Sequence, residues 1–184
     1  MRTRFFNFIT VMILAFSFIS AQLFISEAAE GSSNHKYLEI YNAGSDPVDL
    51  SAYSLSSCSN GCNDGVSWDY TDNVTFSDGT ILSAGDVYVV CHGSADDSIQ
   101  AECDQTFTYL SNGDDVFALT VLGGTPIIDI LGTIGDDPGS GWDVCGESNA
   151  TKDHTLVRKA SVTSGNEGDW ESSAGTDTDD CEWI

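Results

Sequence analysis

The segment spanning residues 112–142 constrains the fold of this chain most strongly, because it holds two apolar runs joined by a pair of glycines. The first run, Val116–Leu122, is apolar on both faces, which is typical of a central strand covered on both sides. The return run, Ile127–Leu131, places two isoleucines on one face and Asp129 on the other, the alternation of a half-buried strand. With a turn at Gly123-Gly124-Thr125, the segment predicts a β-hairpin in the core of an all-β domain.

Short strands are predicted along most of the remaining chain. The clearest are Lys36–Asn42, Asp86–His92 and His154–Lys159. One short helical turn, capped by Ser94, is predicted over Ser94–Cys103, and the acidic segment Ser172–Asp180 is predicted to be a mobile loop. Seven to nine short strands separated by glycine and aspartate turns favour a sandwich or a small barrel of Greek-key type.

The first 21 residues have the features of a secretory signal peptide. A basic start, Met1-Arg2-Thr3-Arg4, precedes the apolar run Phe5–Ala21, which ends in small residues. The run is nearly long enough to cross a bilayer, so an uncleaved membrane anchor remains the alternative. We therefore predict a signal peptide over residues 1–21 and one domain over residues 22–184.

The domain after the signal is strongly acidic. Lys36, Lys152, Arg158 and Lys159 stand against 29 acidic residues, which gives a net charge of −25. Such a surface repels nucleic acid and anionic lipid at low salt, which argues against direct nucleic-acid binding. It favours cations, basic partners or simple solubility.

Six cysteines, all after the signal, indicate an oxidising compartment. They are Cys58, Cys62, Cys91, Cys103, Cys145 and Cys181. Of the 15 possible pairings, sequence order favours the local bridges Cys58–Cys62, Cys91–Cys103 and Cys145–Cys181. A zinc site is the competing interpretation, but no second paired motif follows the first.

Paired aspartates in glycine turns raise the question of calcium. Asp114-Asp115 and Asp136-Asp137 could supply the loop oxygens that Ca²⁺ requires, although aspartate is also a preferred turn residue. Two sequons, at Asn73 and Asn149, would be glycosylated in a eukaryotic host.

No motif predicts catalysis. The sequence contains no HExxH, no GxSxG, no P-loop and no dinucleotide-binding fingerprint. His154 beside Asp153 is better explained as an exposed turn at the start of a strand than as an acid–base pair. No cofactor is predicted apart from Ca²⁺ at the acidic turns.

Several segments, in this order, resemble the lamin-tail domain family. They are Leu23–Glu27, Gly31–Asn34, Leu38–Asn42, Val48–Tyr53, Gly85–Val90, Asn112–Leu119, Ile128–Gly132 and Thr155–Lys159. The resemblance implies an immunoglobulin-like Greek-key β-sandwich, and it is closest to the bacterial secreted branch. Family members are generally non-enzymatic and are associated with targeting, adhesion or scaffolding. Such domains often run a few residues beyond the position of Ile184, so the chain is expected to be a fragment lacking its last strand or a short stand-alone form.

The resemblance implies a secreted, non-catalytic binding, adhesion or scaffolding module. The alternative is the accessory domain of an extracellular nuclease whose catalytic domain is absent from this chain. The expected partner is an extracellular protein or a surface ligand of unknown identity, and membrane association is expected only if the signal is uncleaved.

Overall fold

The computed structural model describes residues 22–184, so the predicted signal peptide lies outside the described residues. Within this range the chain forms eleven strands, two short α-helices and one 3₁₀ turn. The strands are β1 (Leu23–Glu30), β2 (Lys36–Asn42), β3 (Val48–Asp49), β4 (Tyr53–Cys58), β5 (Tyr70–Thr75), β6 (Ile81–Leu82), β7 (Val87–Cys91), β8 (Gln105–Thr106), β9 (Val116–Val121), β10 (Ile127–Leu131) and β11 (His154–Val157). The helices are α1 (Asp97–Ala101) and α2 (Trp170–Ala174), and the 3₁₀ turn is Leu50–Ala52.

Two main sheets form the domain. One has five strands in the order β11-β1-β2-β7-β8, and the other has four in the order β10-β9-β4-β5. The strands β3 and β6 form a small separate pair. All pairings are antiparallel except that of β7 with β8. The all-β, immunoglobulin-like class expected from the sequence is therefore confirmed, and the number of strands exceeds the prediction because three of them have only two residues.

The core lies where apolar side chains from both main sheets meet. Strand β2 alternates strictly, with Leu38 and Ile40 buried and the residues between them partly exposed. Strand β9 lies between β10 and β4, and its residues Val116–Thr120 are all buried. This confirms the prediction of a central strand covered on both sides.

The return strand of the hairpin differs from the prediction at Asp129. The bounds Ile127–Leu131 are as expected, but the Asp129 side chain is fully buried rather than directed toward solvent. The pairing of β10 with β9 shifts register between Ile127 and Asp129, as at a β-bulge. A bulge of this kind redirects a side chain, so simple alternation assigned Asp129 to the wrong environment.

Asp129 is buried because Arg158 and backbone groups surround it. Both Arg158 Nη2 contacts with the carboxylate are short, at 2.6 and 2.8 Å, and the Arg158 side chain is only 2% exposed. The carboxylate also accepts hydrogen bonds from the backbone N–H groups of Ile25 and Asn166, at 2.8 and 3.0 Å. Burial raises the pKa of Asp129, while the guanidinium and these N–H donors act in the opposite direction.

The rest of the Arg158 side chain joins strand β1 to two C-terminal segments. Its Nε donates to the Ile25 carbonyl, and its Nη1 donates to the Ser173 hydroxyl and to the Glu182 carboxylate. The guanidinium carbon lies 4.0 Å from the centroid of the Trp183 ring, a cation–π contact. We call the group Asp129, Arg158, Ser173, Glu182 and Trp183 the arginine cluster.

The helices correct two further expectations. The N-cap of α1 is Asp96, whose carboxylate accepts from the N–H groups of Ser98 and Ile99, and not Ser94. Part of the predicted acidic loop is helical, because α2 buries Trp170 and Ala174 and is capped by Asp169. No described helix is long and apolar enough to cross a membrane.

Two of the three disulfides link the end of a strand to a loop, and the third links two loops. The structure contains Cys58–Cys62, Cys91–Cys103 and Cys145–Cys181, the three pairs that sequence order favours, and no described cysteine is free. With every sulfur bonded to another, these cysteines do not form the alternative zinc site. The last of the three fixes the C-terminal segment, where Trp183 forms a backbone bridge with Arg158.

Candidate functional site

A polar groove of about 600 Å³ opens where the two main sheets meet at one end. Lys36 lines it from β2, Ser57 from β4, Asn73 from β5 and Phe117 from β9. Loops complete the walls with Ser33, Asn34, Ser59, Asn60, Thr108, Tyr109, Leu110, Asn112 and Asp115. Most of the lining side chains are amides, hydroxyls or aromatic rings, and this groove is the candidate functional site.

Lys36 is the one ammonium group in the groove lining, and the structure already satisfies it. Its Nζ lies 3.2 Å from a carboxylate oxygen of Glu30 and donates to the Ser111 carbonyl at 2.8 Å. A third contact, at 2.7 Å, goes to the side-chain oxygen of Asn112. Because the residue is only 6% exposed, Lys36 fixes the loop that ends at Asn112 and offers little free positive charge to a ligand.

Asp115 is the one carboxylate in the same lining. Its two oxygens accept hydrogen bonds from the backbone N–H groups of Asn60 and Asn112, each at 3.2 Å. Burial raises the pKa of Asp115, and these two N–H donors partly offset that rise. Asp115 therefore ties two loops of the groove together, in the same way that Lys36 ties a strand to a loop.

Two tyrosines are the most exposed aromatic groups of the groove. Tyr109 is 78% exposed and Tyr70 is 53% exposed. The Tyr109 ring meets Phe107 edge-on at a centroid distance of 6.0 Å, which limits its orientation. Their rings are accordingly available to a ligand, whereas the floor residues Leu110 and Phe117 are buried.

Disulfides stiffen two sides of the groove. Cys58 belongs to the lining and is bonded to Cys62, which closes the loop that carries Asn60. His92 also lines the groove and follows Cys91, which is bonded to Cys103. The groove is thus largely formed before any ligand arrives, which lowers the entropic cost of binding.

The aspartates considered for Ca²⁺ mostly act within turns. Asp115 bridges loops as described above, and an Asp137 oxygen accepts from the Gly139 N–H group at 2.8 Å. The backbone of Asp136 packs so closely against Gly61 that a Cβ atom at Gly61 would fall 1.9 Å from the Asp136 carbonyl oxygen. Among residues 22–184, no group of three or more histidine, cysteine or acidic side chains is arranged to hold a metal ion. A specific Ca²⁺ site at Asp114-Asp115 or at Asp136-Asp137 stays a prediction.

The two sequons differ in their surroundings. Asn73 lies within β5 in the groove wall, and its amide donates to the Ser57 hydroxyl at 2.7 Å. Asn149 is exposed and has a positive φ of 55° in a turn. A glycan on Asn73 would enter the groove, whereas one on Asn149 would extend from a turn.

Each histidine contacts a backbone group, and two of the three contacts are local. His154 Nδ1 lies 2.6 Å from the Lys152 carbonyl, and His92 Nδ1 accepts from the Ser94 N–H group. His35 Nδ1 accepts from the N–H group of Asp96 and lies 3.8 Å from its carboxylate. The contacts of His154 and His92 stabilise turns, whereas that of His35 joins the loop before β2 to the loop before α1.

Sequence reasoning did not identify the groove. Its residues come from segments scattered between Ser33 and Phe117, and none of them forms a recognisable motif. The segment around Tyr109 received no structural assignment from the sequence. Tyr109, three positions before Asn112, was the one local signal, and its exposure is visible only in the structure.

Comparison with known protein families supports the resemblance. A family model described as Lamin Tail Domain matches residues 19–135, which is more than half of the chain. The match contains all the residues that line the groove, but it ends before β11 and before every member of the arginine cluster except Asp129. A search of curated proteins found no matching sequence.

Proposed function

Because the chain belongs to the lamin-tail domain family, we propose that it is a secreted, non-catalytic module that binds an extracellular or surface ligand in the polar groove. The observation that carries this proposal is the groove itself, a preformed concave surface with exposed rings and polar groups. Three disulfides and the apolar segment at residues 5–21 support an extracellular location.

The proposal of a non-catalytic role rests on the chemistry of the groove. Its titratable groups are Lys36, His92 and Asp115, apart from its tyrosines. The first and last of these are held by internal contacts, as is the Nδ1 atom of His92. Nucleophilic or acid–base catalysis needs a reactive group with a free partner in reach of substrate, and this lining supplies no such pair.

Binding to surface material tests the proposal directly. The oxidised domain, residues 22–184, should co-sediment with the insoluble cell-surface fraction of the cells that secrete it. Thr108 is exposed in the groove wall, so Thr108→Trp should obstruct the groove and reduce co-sedimentation. Thr163→Trp places the same ring at an exposed position outside the lining and should leave binding unchanged. Equal binding by both variants, or no binding by the unaltered domain, would contradict the proposal.

The accessory-domain alternative follows from the family resemblance alone. It predicts a coding sequence for a nuclease in the same reading frame or in a directly associated gene. It also predicts that the domain improves DNA cleavage by that nuclease in a reconstitution assay. The acidic surface gives this alternative no support, because a nuclease accessory domain that gripped DNA itself would need basic residues.

A further inference from the structure

We infer that the groove recognises an uncharged oligosaccharide. The inference rests on the proposed binding function and specifies its ligand. Three features of the described residues carry it: the absence of free charge in the lining, the exposed tyrosine rings, and the amide and hydroxyl groups left without internal partners.

The groove is an electrically neutral region on a highly acidic protein. The full chain carries 29 acidic residues, yet only Asp115 among them lines the groove, opposite the single ammonium of Lys36. Both groups are half-buried or buried and are used internally. A cationic ligand would find stronger attraction elsewhere on the surface, and an anionic ligand would be repelled by the protein as a whole. The lining therefore suits a ligand without net charge.

The tyrosine rings supply flat apolar surfaces for such a ligand. A pyranose ring has a face of C–H groups that packs on an aromatic ring, while its hydroxyls point outward around the rim. Tyr109 and Tyr70 are exposed, and the contact with Phe107 orients the Tyr109 ring. Large exposed rings are costly to leave in water, and their presence in a groove indicates a binding role.

Polar groups beside the rings match the rim of a sugar. Within residues 22–184, the side-chain amides of Asn34 and Asn60 and the hydroxyls of Tyr70 and Tyr109 make no observed hydrogen bond to other protein groups. An amide offers one acceptor and two donors, and a hydroxyl offers both roles. Vicinal sugar hydroxyls, which also donate and accept, can satisfy these groups together.

Other ligand classes fit less well. Single-stranded nucleic acid stacks on aromatic rings, but it requires a positively charged path for its phosphates, and Lys36 is already paired. A peptide bound by strand addition needs apolar pockets for its side chains. The apolar floor residues Leu110 and Phe117 are 6% and 2% exposed, so they form no such pocket.

Calorimetric titration with defined sugars tests the inference. The probes are neutral hexasaccharides with glucose, mannose, xylose or N-acetylglucosamine units, and oligogalacturonate serves as an anionic comparison. We expect at least one neutral hexasaccharide to bind with a millimolar or lower dissociation constant, and the anionic probe to bind at least about tenfold more weakly. Tyr109→Ala should weaken binding at least about tenfold, while Tyr109→Phe, which retains the ring, should weaken it less.

A matched control separates ring stacking from unfolding. Val66→Ala truncates an apolar side chain outside the groove that is 77% exposed, against 78% for Tyr109, and should change neither affinity nor melting temperature. Tyr109→Ala should likewise melt at the temperature of the unaltered domain, since the side chain is largely exposed. No binding of any neutral hexasaccharide at millimolar concentration, or affinity unaffected by Tyr109→Ala, would overturn the inference.

The two proposals can fail separately. If surface material binds and Thr108→Trp prevents it, but neutral hexasaccharides do not compete, then the binding function stands and the sugar assignment is wrong. If proteinase treatment of the surface material removes its binding, the ligand is a protein rather than a glycan. If nothing binds at all, the binding function itself fails.

Discussion

Replacing Arg158 with methionine should reveal how much the arginine cluster contributes to stability. The substitution keeps an unbranched chain of similar length but leaves the Asp129 carboxylate buried without its counter-charge. Removing one partner of a buried ion pair costs about 3–5 kcal/mol, because the remaining charge is not compensated. Loss of the contact with Trp183 adds about 0.5–2 kcal/mol. A domain of this size is stable by only about 5–15 kcal/mol, so the effect should be large.

Urea unfolding of the oxidised domain measures this effect. With a slope of about 2 kcal/mol per molar urea, a loss of about 4 kcal/mol lowers the midpoint by roughly 2 M. Lys152→Met is the matched control, because it removes one positive charge from an exposed side chain. We expect that control to change stability by less than about 0.5 kcal/mol.

A double-mutant cycle with Asp129→Asn isolates the ion pair itself. Asparagine removes the charge and keeps one acceptor oxygen, so it can accept from only one of the Ile25 and Asn166 N–H groups, which bond different oxygens of the carboxylate. The double variant should be more stable than the sum of the two single losses implies, by about 1–3 kcal/mol. The pH response supplies a second check, because protonation of an unpaired buried Asp129 removes the buried charge and raises the free energy of unfolding. Arg158→Met should therefore recover part of its loss between pH 7 and pH 5. A loss no larger than that of Lys152→Met, together with additive single losses, would refute the reasoning.

Three other expectations concern the disulfides, a carboxylate pair and the cation response. Replacing both members of the Cys145–Cys181 bridge with serine should cost about 4 kcal/mol in urea unfolding, from the loop of 36 residues that it closes. Burial raises the pKa of Glu39, and so does the carboxylate of Glu27, which pairs with Glu39 across the strands. Ionised Glu39 therefore lowers the stability of the folded domain as pH rises through that pKa. Glu39→Gln should thus raise the melting temperature at pH 7 more than at pH 4. Salt should raise the melting temperature as the Debye length falls from ~30 Å to ~10 Å, equally for Na⁺ and Mg²⁺ at matched ionic strength. A further rise with Ca²⁺ that Asp136→Asn abolishes would instead show a specific site.

The sequence predicted those features whose signals are local. The alternation in β2 and the paired glycines between β9 and β10 depend on neighbouring residues, and the structure retains both. The bridge between Cys58 and Cys62 follows similarly from proximity in the chain. In each case the physical cause lies within one strand, one turn or one short loop.

Features that depend on distant partners were not predictable in this way. Asp129 is buried because Arg158, 29 residues later, reaches it, and the pattern of β10 alone could not show this. The last three residues of helix α2 were assigned to the loop Ser172–Asp180 because that segment is polar, yet Trp170 anchors the helix on the core. The groove needs loops from both sheets at once, so its neutral lining appears only after the chain has folded.

The pairing of β1 with β11 determines the order in which this protein can complete its folding. Ala28 in the first strand pairs with Leu156, so the five-stranded sheet lacks its edge strand β11 until the C-terminal part of the chain is available. Contacts between such distant residues are slow to form, because a long loop must close before any of them stabilises the chain. During synthesis, which delivers the N-terminal end first, β1 and β2 can pair early, but the outer edge of β1 stays uncovered. We therefore expect the risk of aggregation to be greatest while this edge is uncovered. The yield of folded protein should then depend on how rapidly roughly the last 30 residues are delivered.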